Sequence, residues 1–343
     1  MSGQATQTLV SDWRLAERVP WLNAAREAIQ VPWRAGRMTH ALLLEGAAGV
    51  GKAALADWIA RLALCERRGQ APCGHCTSCH LHAAGTHPDL FRVALEAERK
   101  DIAVDDVRDL IAALALKSYR GGAKVAIIDP ADALNANGAN ALLKTLEEPA
   151  PNTLLILIAS RPERLPATIR SRCQRVRVPR PAAAEALAWL EQQGRGNWSA
   201  VLALVGGGPL AALALGDAGG QGLAEDMARL LEGLPKRSVD VVAAAERAAK
   251  DHPQERLRWI ENWITDRIRD ALGSRAARHT PPTPPLPATG QRRHIRALYS
   301  LLDDTRRAQV LLRGTANVQL LLENVLTALA ACLAPEGGKG ATG

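Results

Sequence analysis

The stretch from Gly46 to Ala53 reads GAAGVGKA. Gly46, Gly49 and Gly51 would turn backbone N–H groups toward a phosphate, and Lys52 would reach the outer phosphates of a nucleotide. The position after the lysine calls for Ser or Thr, whose oxygen ligates Mg²⁺. Here it is Ala53, which offers the metal nothing. A second nucleotide-site segment, VAIID, ends in Asp129, the residue type that holds Mg²⁺ from the end of an apolar strand. The acid that orients an attacking water would follow, and Pro130 stands in its place. In-line attack depends on the metal and on the oriented water, so these residues predict little turnover. Nucleotide binding is separable: Lys52 and the loop backbone leave ATP or ADP binding open while hydrolysis is not expected.

Two further clusters carry chemistry. CERRGQAPCGHCTSC (65–79) places Cys65, Cys73, Cys76 and Cys79 at the spacing C-x7-C-x2-C-x2-C. Four thiolates in one short insertion form a closed shell for a tetrahedral, structural Zn²⁺. The alternative is four reduced, unligated thiols in an exposed loop. His75, His80 and His82 are close in sequence, but four sulfurs suffice. Cys173 and Cys332 are isolated. The segment ASRPERLPATIRSRCQRVRVPR (159–180) holds seven arginines around Ser171-Arg172-Cys173. An arginine at such a strand end can project into a neighbouring subunit's site and stabilise charge on a transferred phosphate. It can equally belong to a solvated basic face or pair with an internal acid.

The elements that position these residues follow from apolar patterning. Buried strands are expected at HALLLE (40–45) and AKVAIIDP (123–130), further strands at PDLFRVAL (88–95) and TLLILIAS (153–160), and a short last strand at RVRV (175–178). Helices are expected from Ala54 to about Cys65, over 103–116, and over 140–149, where Pro149 stops the run. Strands that alternate with helices and are apolar throughout imply a parallel sheet covered on both faces. After residue 180 no further buried strand is expected. Residues 181 to about 217 read as short helices broken by VGGGPL (205–210), and 221–333 as longer ones. The five prolines in HTPPTPPLPATG (279–290) predict a stiff exposed loop, and the tail PEGGKGATG predicts disorder.

Composition sets limits. The 343 residues suggest two or three domains. With one Phe and two Tyr, the core rests on Leu, Val, Ile and Ala, and the eight Trp act as local anchors. A net charge of +8 permits contact with nucleic acid or with an acidic protein. No apolar run approaches a bilayer span, the N-terminus lacks a signal pattern, and six cysteines without one predict a reducing cytoplasm.

NALLKTLEEP (140–149), TLLILIAS and ATIRSRC together resemble the clamp-loader branch of the AAA+ ATPases. The four-cysteine insertion after the phosphate loop and GTHPDL (85–90) extend the resemblance, which is dense over about 20–220. It implies a RecA-like α/β domain at 1–180 with the zinc insertion at 65–79. A helical lid follows at 181–220, then an all-α collar at 221–335 and a disordered tail at 336–343. It further implies partners: gamma/tau and delta subunits in a five-subunit ring and, through the complex, the sliding clamp and primer-template DNA, with no membrane partner. The site would be the cytoplasm, at the bacterial replisome.

On this reading Arg172 acts in trans as an arginine finger, with Ser171 and Cys173 setting its position. The branch's active members carry a lid arginine where this chain has Leu210, and Ser160 matches their first sensor position. With Ala53, Pro130 and Leu210, the resemblance implies a non-catalytic member of a polymerase holoenzyme, with no ATPase or polymerase chemistry of its own. The alternative is an active ATPase of the tau/gamma type. Another is a zinc-containing DNA-binding protein, but this cysteine spacing does not match a finger that presents a helix to the major groove.

Overall fold

The structure is a computed structural model that describes residues 13–67, 72–96, 99–217, 219–236, 238–273, 291–312, 314 and 316–333. The chain forms two compact units that divide between Pro181 and Ala182. The proline-rich segment 279–290 and the tail 336–343 lie outside the described residues.

The first unit is built on five parallel strands: β1 (Ala41–Glu45), β2 (Leu90–Ala94), β3 (Lys124–Asp129), β4 (Thr153–Ala159) and β5 (Gln174–Arg177). Their order in the sheet is β2-β3-β4-β1-β5. All of β1 and β4 is buried, as the continuous apolar runs require of central strands covered on both faces. The edge strands alternate instead: in β5 only Val176 is buried. The register sets Leu43 beside Leu157 and Ile127 beside Ile156.

Six helices accompany the sheet: α1 (Trp13–Arg18), α2 (Asn23–Arg34), α3 (Lys52–Leu64), α4 (Thr77–Ala83), α5 (Val104–Ala115) and α6 (Ala136–Glu147). A one-turn helix, α7 (Ala167–Arg170), links β4 to β5. On one face, Leu43, Ile128, Leu155 and Leu157 meet Val107, Leu110 and Leu114 of α5 and Leu142 and Leu146 of α6. Against β1, β3 and β4 on the other face packs α3. Asn135 starts α6 four residues earlier than the apolar pattern indicates. Its side-chain oxygen accepts from the Gly138 N–H at 2.7 Å, and so caps the helix. The helix after the phosphate loop likewise begins at Lys52 rather than Ala54, because Gly51 takes a left-handed conformation immediately before it.

The second unit is helical: α8 (Ala183–Gln193), α9 (Trp198–Leu204), α10 (Pro209–Asp217), α11 (Gly220–Gly233), α12 (Val241–Lys250), α13 (Pro253–Ala271), α14 (Gln291–Leu311) and α15 (Val318–Leu333). The VGGGPL segment forms the turn between α9 and α10, with Gly206 and Gly207 at positive φ. Six of the eight tryptophans are buried, two in the sheet unit and four in the helical unit: Trp21, Trp58, Trp189, Trp198, Trp259 and Trp263 all lie at or below 6% exposure. They supply the bulk that a core almost without Phe and Tyr lacks. No single described helix is long and apolar enough to cross a membrane.

Leu43 sits at the centre of the sheet with 0% exposure. Leu43→Ala should cost about 2–5 kcal/mol, through lost burial and the cavity left behind. Leu116, 69% exposed, should tolerate the same change within about 0.5 kcal/mol. Chemical denaturation followed by tryptophan fluorescence compares the two.

Candidate nucleotide and metal sites

The phosphate loop joins β1 to α3 at the carboxyl end of the sheet, where open parallel sheets place their ligands. Gly46 must be glycine: a β-carbon there would overlap the carbonyl oxygen of Val178, just past β5. Gly49 (φ 72°) and Gly51 (φ 104°) turn through the left-handed region that glycine reaches without strain. Trp21, which the sequence reading passed over, donates its indole N–H to the Val50 carbonyl at 2.8 Å and braces the loop from the N-terminal segment.

Lys52 is 5% exposed and turned inward. Its ammonium donates to the carbonyls of Gly46 (2.9 Å) and Ala47 (2.6 Å) and to Ser160 Oγ (3.0 Å). The lysine thus stitches its own loop to the end of β4. Burial pushes its pKa down from 10.5 to about 8, against the pull of Asp129 and Asp132. Burial also raises the Asp129 carboxyl, with Lys52 acting in the opposite sense. Asp132, another residue the sequence reading passed over, accepts from the Ser160 N–H at 3.1 Å. Lys52, Ser160, Asp129 and Asp132 therefore form one connected group, with Ala53 and Pro130 at the positions that would serve metal and water.

Arg172 follows α7. Its guanidinium donates to the Thr168 carbonyl (2.9 Å) and pairs with Glu147 at the end of α6 (2.6 Å). Ser171 Oγ donates to the same Thr168 carbonyl at 3.1 Å. Cys173 is buried in the sheet core, where burial raises its thiol pKa to about 11. The Ser-Arg-Cys run thus has an inward anchor and a partly exposed, oriented cation. Other arginines of the segment pair within the chain: Arg175 with Glu45 at 2.8 Å, Arg161 with Asp132 at 3.8 Å. Leu210 is 2% exposed and belongs to the core of the helical unit.

The four cysteines of the insertion converge. The Sγ atoms of Cys65, Cys73, Cys76 and Cys79 all lie within 4.8 Å of one another. Two of the separations are 4.0 Å (Cys65 to Cys76) and 3.9 Å (Cys73 to Cys79). Sulfurs about 2.3 Å from a tetrahedral Zn²⁺ are roughly 3.8 Å apart, so the arrangement fits such an ion. Backbone N–H groups of Cys73 and Cys79 point at Cys65 Sγ and Cys76 Sγ, each at 3.4 Å. Cys65 caps the C-terminus of α3, and Cys76 caps the N-terminus of α4. The histidines stand apart from the sulfur group. His75 bonds the Cys73 carbonyl and Arg67. His82 is buried 3.6 Å from Asp57, with its pKa lowered to about 4 by burial.

Comparison with known proteins adds the family. A family model described as "DNA polymerase III, delta subunit" matches residues 22–182. The DNA polymerase III subunit delta' of Pseudomonas aeruginosa is 44% identical over 237 residues, which are 67% of this chain and 70% of that protein. That of Yersinia pestis is 35% identical over 321 residues, 90% of this chain and 94% of that protein. The chain belongs to the delta' subunit family of DNA polymerase III. Beyond the delta' family, the DNA polymerase III subunit tau of Escherichia coli is 40% identical over 139 residues, 40% of this chain and 21% of that protein.

Lys52 makes stability depend on pH. Its folded pKa of about 8 lies below the ordinary 10.5, so the unfolded chain holds the proton more tightly. Stability contributed at this site should rise as pH increases from about 8 toward 10.5. Lys52→Met should flatten that rise, as read from denaturation midpoints across this range.

Proposed function

We propose that this chain is the non-hydrolysing, rigid subunit of a DNA polymerase III clamp loader, and that it acts on its neighbour's nucleotide rather than its own. In this reading it sits in a five-subunit ring with gamma/tau and delta subunits. The ring uses ATP to place the sliding clamp on primed DNA in the cytoplasm. The observation that carries the reading is the state of Lys52. The lysine of the phosphate loop is engaged by two carbonyls and a hydroxyl of its own chain. Ala53 and Pro130 remove the metal ligand and the catalytic acid, so a bound nucleotide would have no route to in-line attack.

Arg172 is the residue proposed to act in trans. Catalysis of phosphoryl transfer rests on positioned charge, and an arginine supplied by a neighbour is worth about 10³–10⁵ in rate in well-studied cases. Glu147 would hold the guanidinium ready and release it to the more concentrated charge of a nucleotide. Residues 181–220 are proposed as the lid and 221–335 as the collar that joins the ring. The four cysteines are proposed to hold a structural Zn²⁺. A closed shell leaves no open position, so the ion would fix the insertion to α3 and α4 and take no part in chemistry.

Two measurements test this reading. In a reconstituted complex, Arg172→Ala should assemble normally and lower DNA- and clamp-stimulated ATP turnover at least tenfold. Undiminished turnover in an intact ring would reduce Arg172 to part of a basic surface. Separately, the purified chain should contain about one zinc, and changing Cys73 and Cys76 to Ser should remove it, as read by metal analysis of the folded protein.

A further inference from the structure

The C-terminal turn of α3 carries a charge that its surroundings do not explain. Arg61 is 3% exposed, and its Nε and Nη1 atoms have no hydrogen-bond partner among the described residues. A buried guanidinium left in this way is costly unless some other charge or polar group offsets it. Its one described aromatic neighbour is Trp13 of α1, whose ring lies 3.7 Å from the guanidinium carbon. Such stacking on an indole face fixes the plane of the group and recovers part of the lost solvation.

The nearby acid does not serve. Asp57, one turn earlier on α3, is engaged by Arg92 and lies beside His82. What Arg61 does face is the metal loop. A β-carbon placed on Gly74 would lie 3.8 Å from Arg61 Nη2. Gly74 is the first of the two residues between Cys73 and Cys76. Cys65 is joined to the same helical turn, its N–H donating to the Arg61 carbonyl at 3.1 Å. Arg61 therefore touches the cluster through its backbone at one ligand and through its side chain at the turn between two others.

Four thiolates around Zn²⁺ leave a net charge of about −2. Three of these four cysteines are buried, so water cannot fully compensate that charge. We propose that Arg61 is the counter-charge of the four-cysteine centre, held in place by Trp13 so that the metal-loaded insertion stabilises the cation and the cation stabilises the loaded insertion. This inference rests on the zinc reading given above. Arg61 is a positioning residue on this account: it binds no metal and transfers no group.

The test is a metal titration of the full-length chain. Zn²⁺ affinity is measured by competition with a chromophoric chelator, and the thiolate-to-cobalt absorption band of the Co²⁺-loaded protein reports the ligand shell. Arg61→Gln, which keeps polarity and approximate length but removes the charge, should weaken zinc binding about 10–100-fold, the range for loss of an outer-shell partner. Its cobalt spectrum should still show four sulfurs. Arg61→Lys, which keeps the charge, should stay within about threefold of wild type.

An Arg61→Gln protein that folds and holds zinc as tightly as wild type would overturn the proposal. So would Arg61→Lys losing as much affinity as Arg61→Gln, because packing rather than charge would then be responsible. If Arg61→Gln does not fold, Arg61→Lys still decides against wild type: a folded Arg61→Lys protein that binds zinc more than about tenfold weaker overturns the proposal. A wild-type chain that binds neither ion defeats the zinc reading itself, and with it this one, a result distinct from loss in the variants alone.

Discussion

Helix α3 cannot move by itself. Of its thirteen residues only Ala53 is not buried, an unusual state for a helix that begins at a ligand loop. The apolar surface it covers on β1, β3 and β4 fixes its position, and its two ends are committed to different tasks. At the N-terminus, Lys52 closes the phosphate loop onto Ser160. At the C-terminus, Cys65 and Arg61 hold the cysteine insertion. A helix of this length spans about 20 Å, so one rigid element keeps two sites at a set separation. The rest of the first unit serves this helix: the sheet gives it a floor, and Trp13 and Trp21 brace its ends.

Much of this was legible in the chain itself. The central strands were readable because burial on both faces demands unbroken apolar runs such as LLILIA, and few other settings tolerate them. The phosphate loop was readable because glycine at 46, 49 and 51 answers to backbone geometry rather than to side-chain chemistry. The cysteine cluster was readable from spacing, since sulfurs so close in sequence can reach one point. The pairing partners were not readable. Glu147 meets Arg172, Glu45 meets Arg175 and Asp132 meets Ser160 across 25 to 130 residues of chain. Nothing local to either residue marks such a pair. Lys52 shows the same limit, because its motif states what it can bind but not that its own loop already occupies it.

The basic segment at 159–180 illustrates how charge should be weighed. As a composition it suggests a surface for nucleic acid. In the fold, Arg161, Arg172, Arg175 and Arg177 each find a carboxylate of the same chain. Such pairs orient long side chains that would otherwise sweep through solvent, and where both partners are open to water, as in Arg172–Glu147, they add little stability. Arg175 makes a bidentate contact with the buried Glu45 and so belongs to the sheet edge. Arg172, half-exposed and tied to an exposed acid, is the member held in place with a weak partner.

The close approach of Val178 to Gly46 has a mechanical side. Val178 lies against the phosphate loop at Gly46, and the boundary with the helical unit falls only three residues later. Two of those three residues, Pro179 and Pro181, have a fixed φ and little slack. The stretch that leads from this contact to the second unit is therefore short and has few backbone conformations open to it.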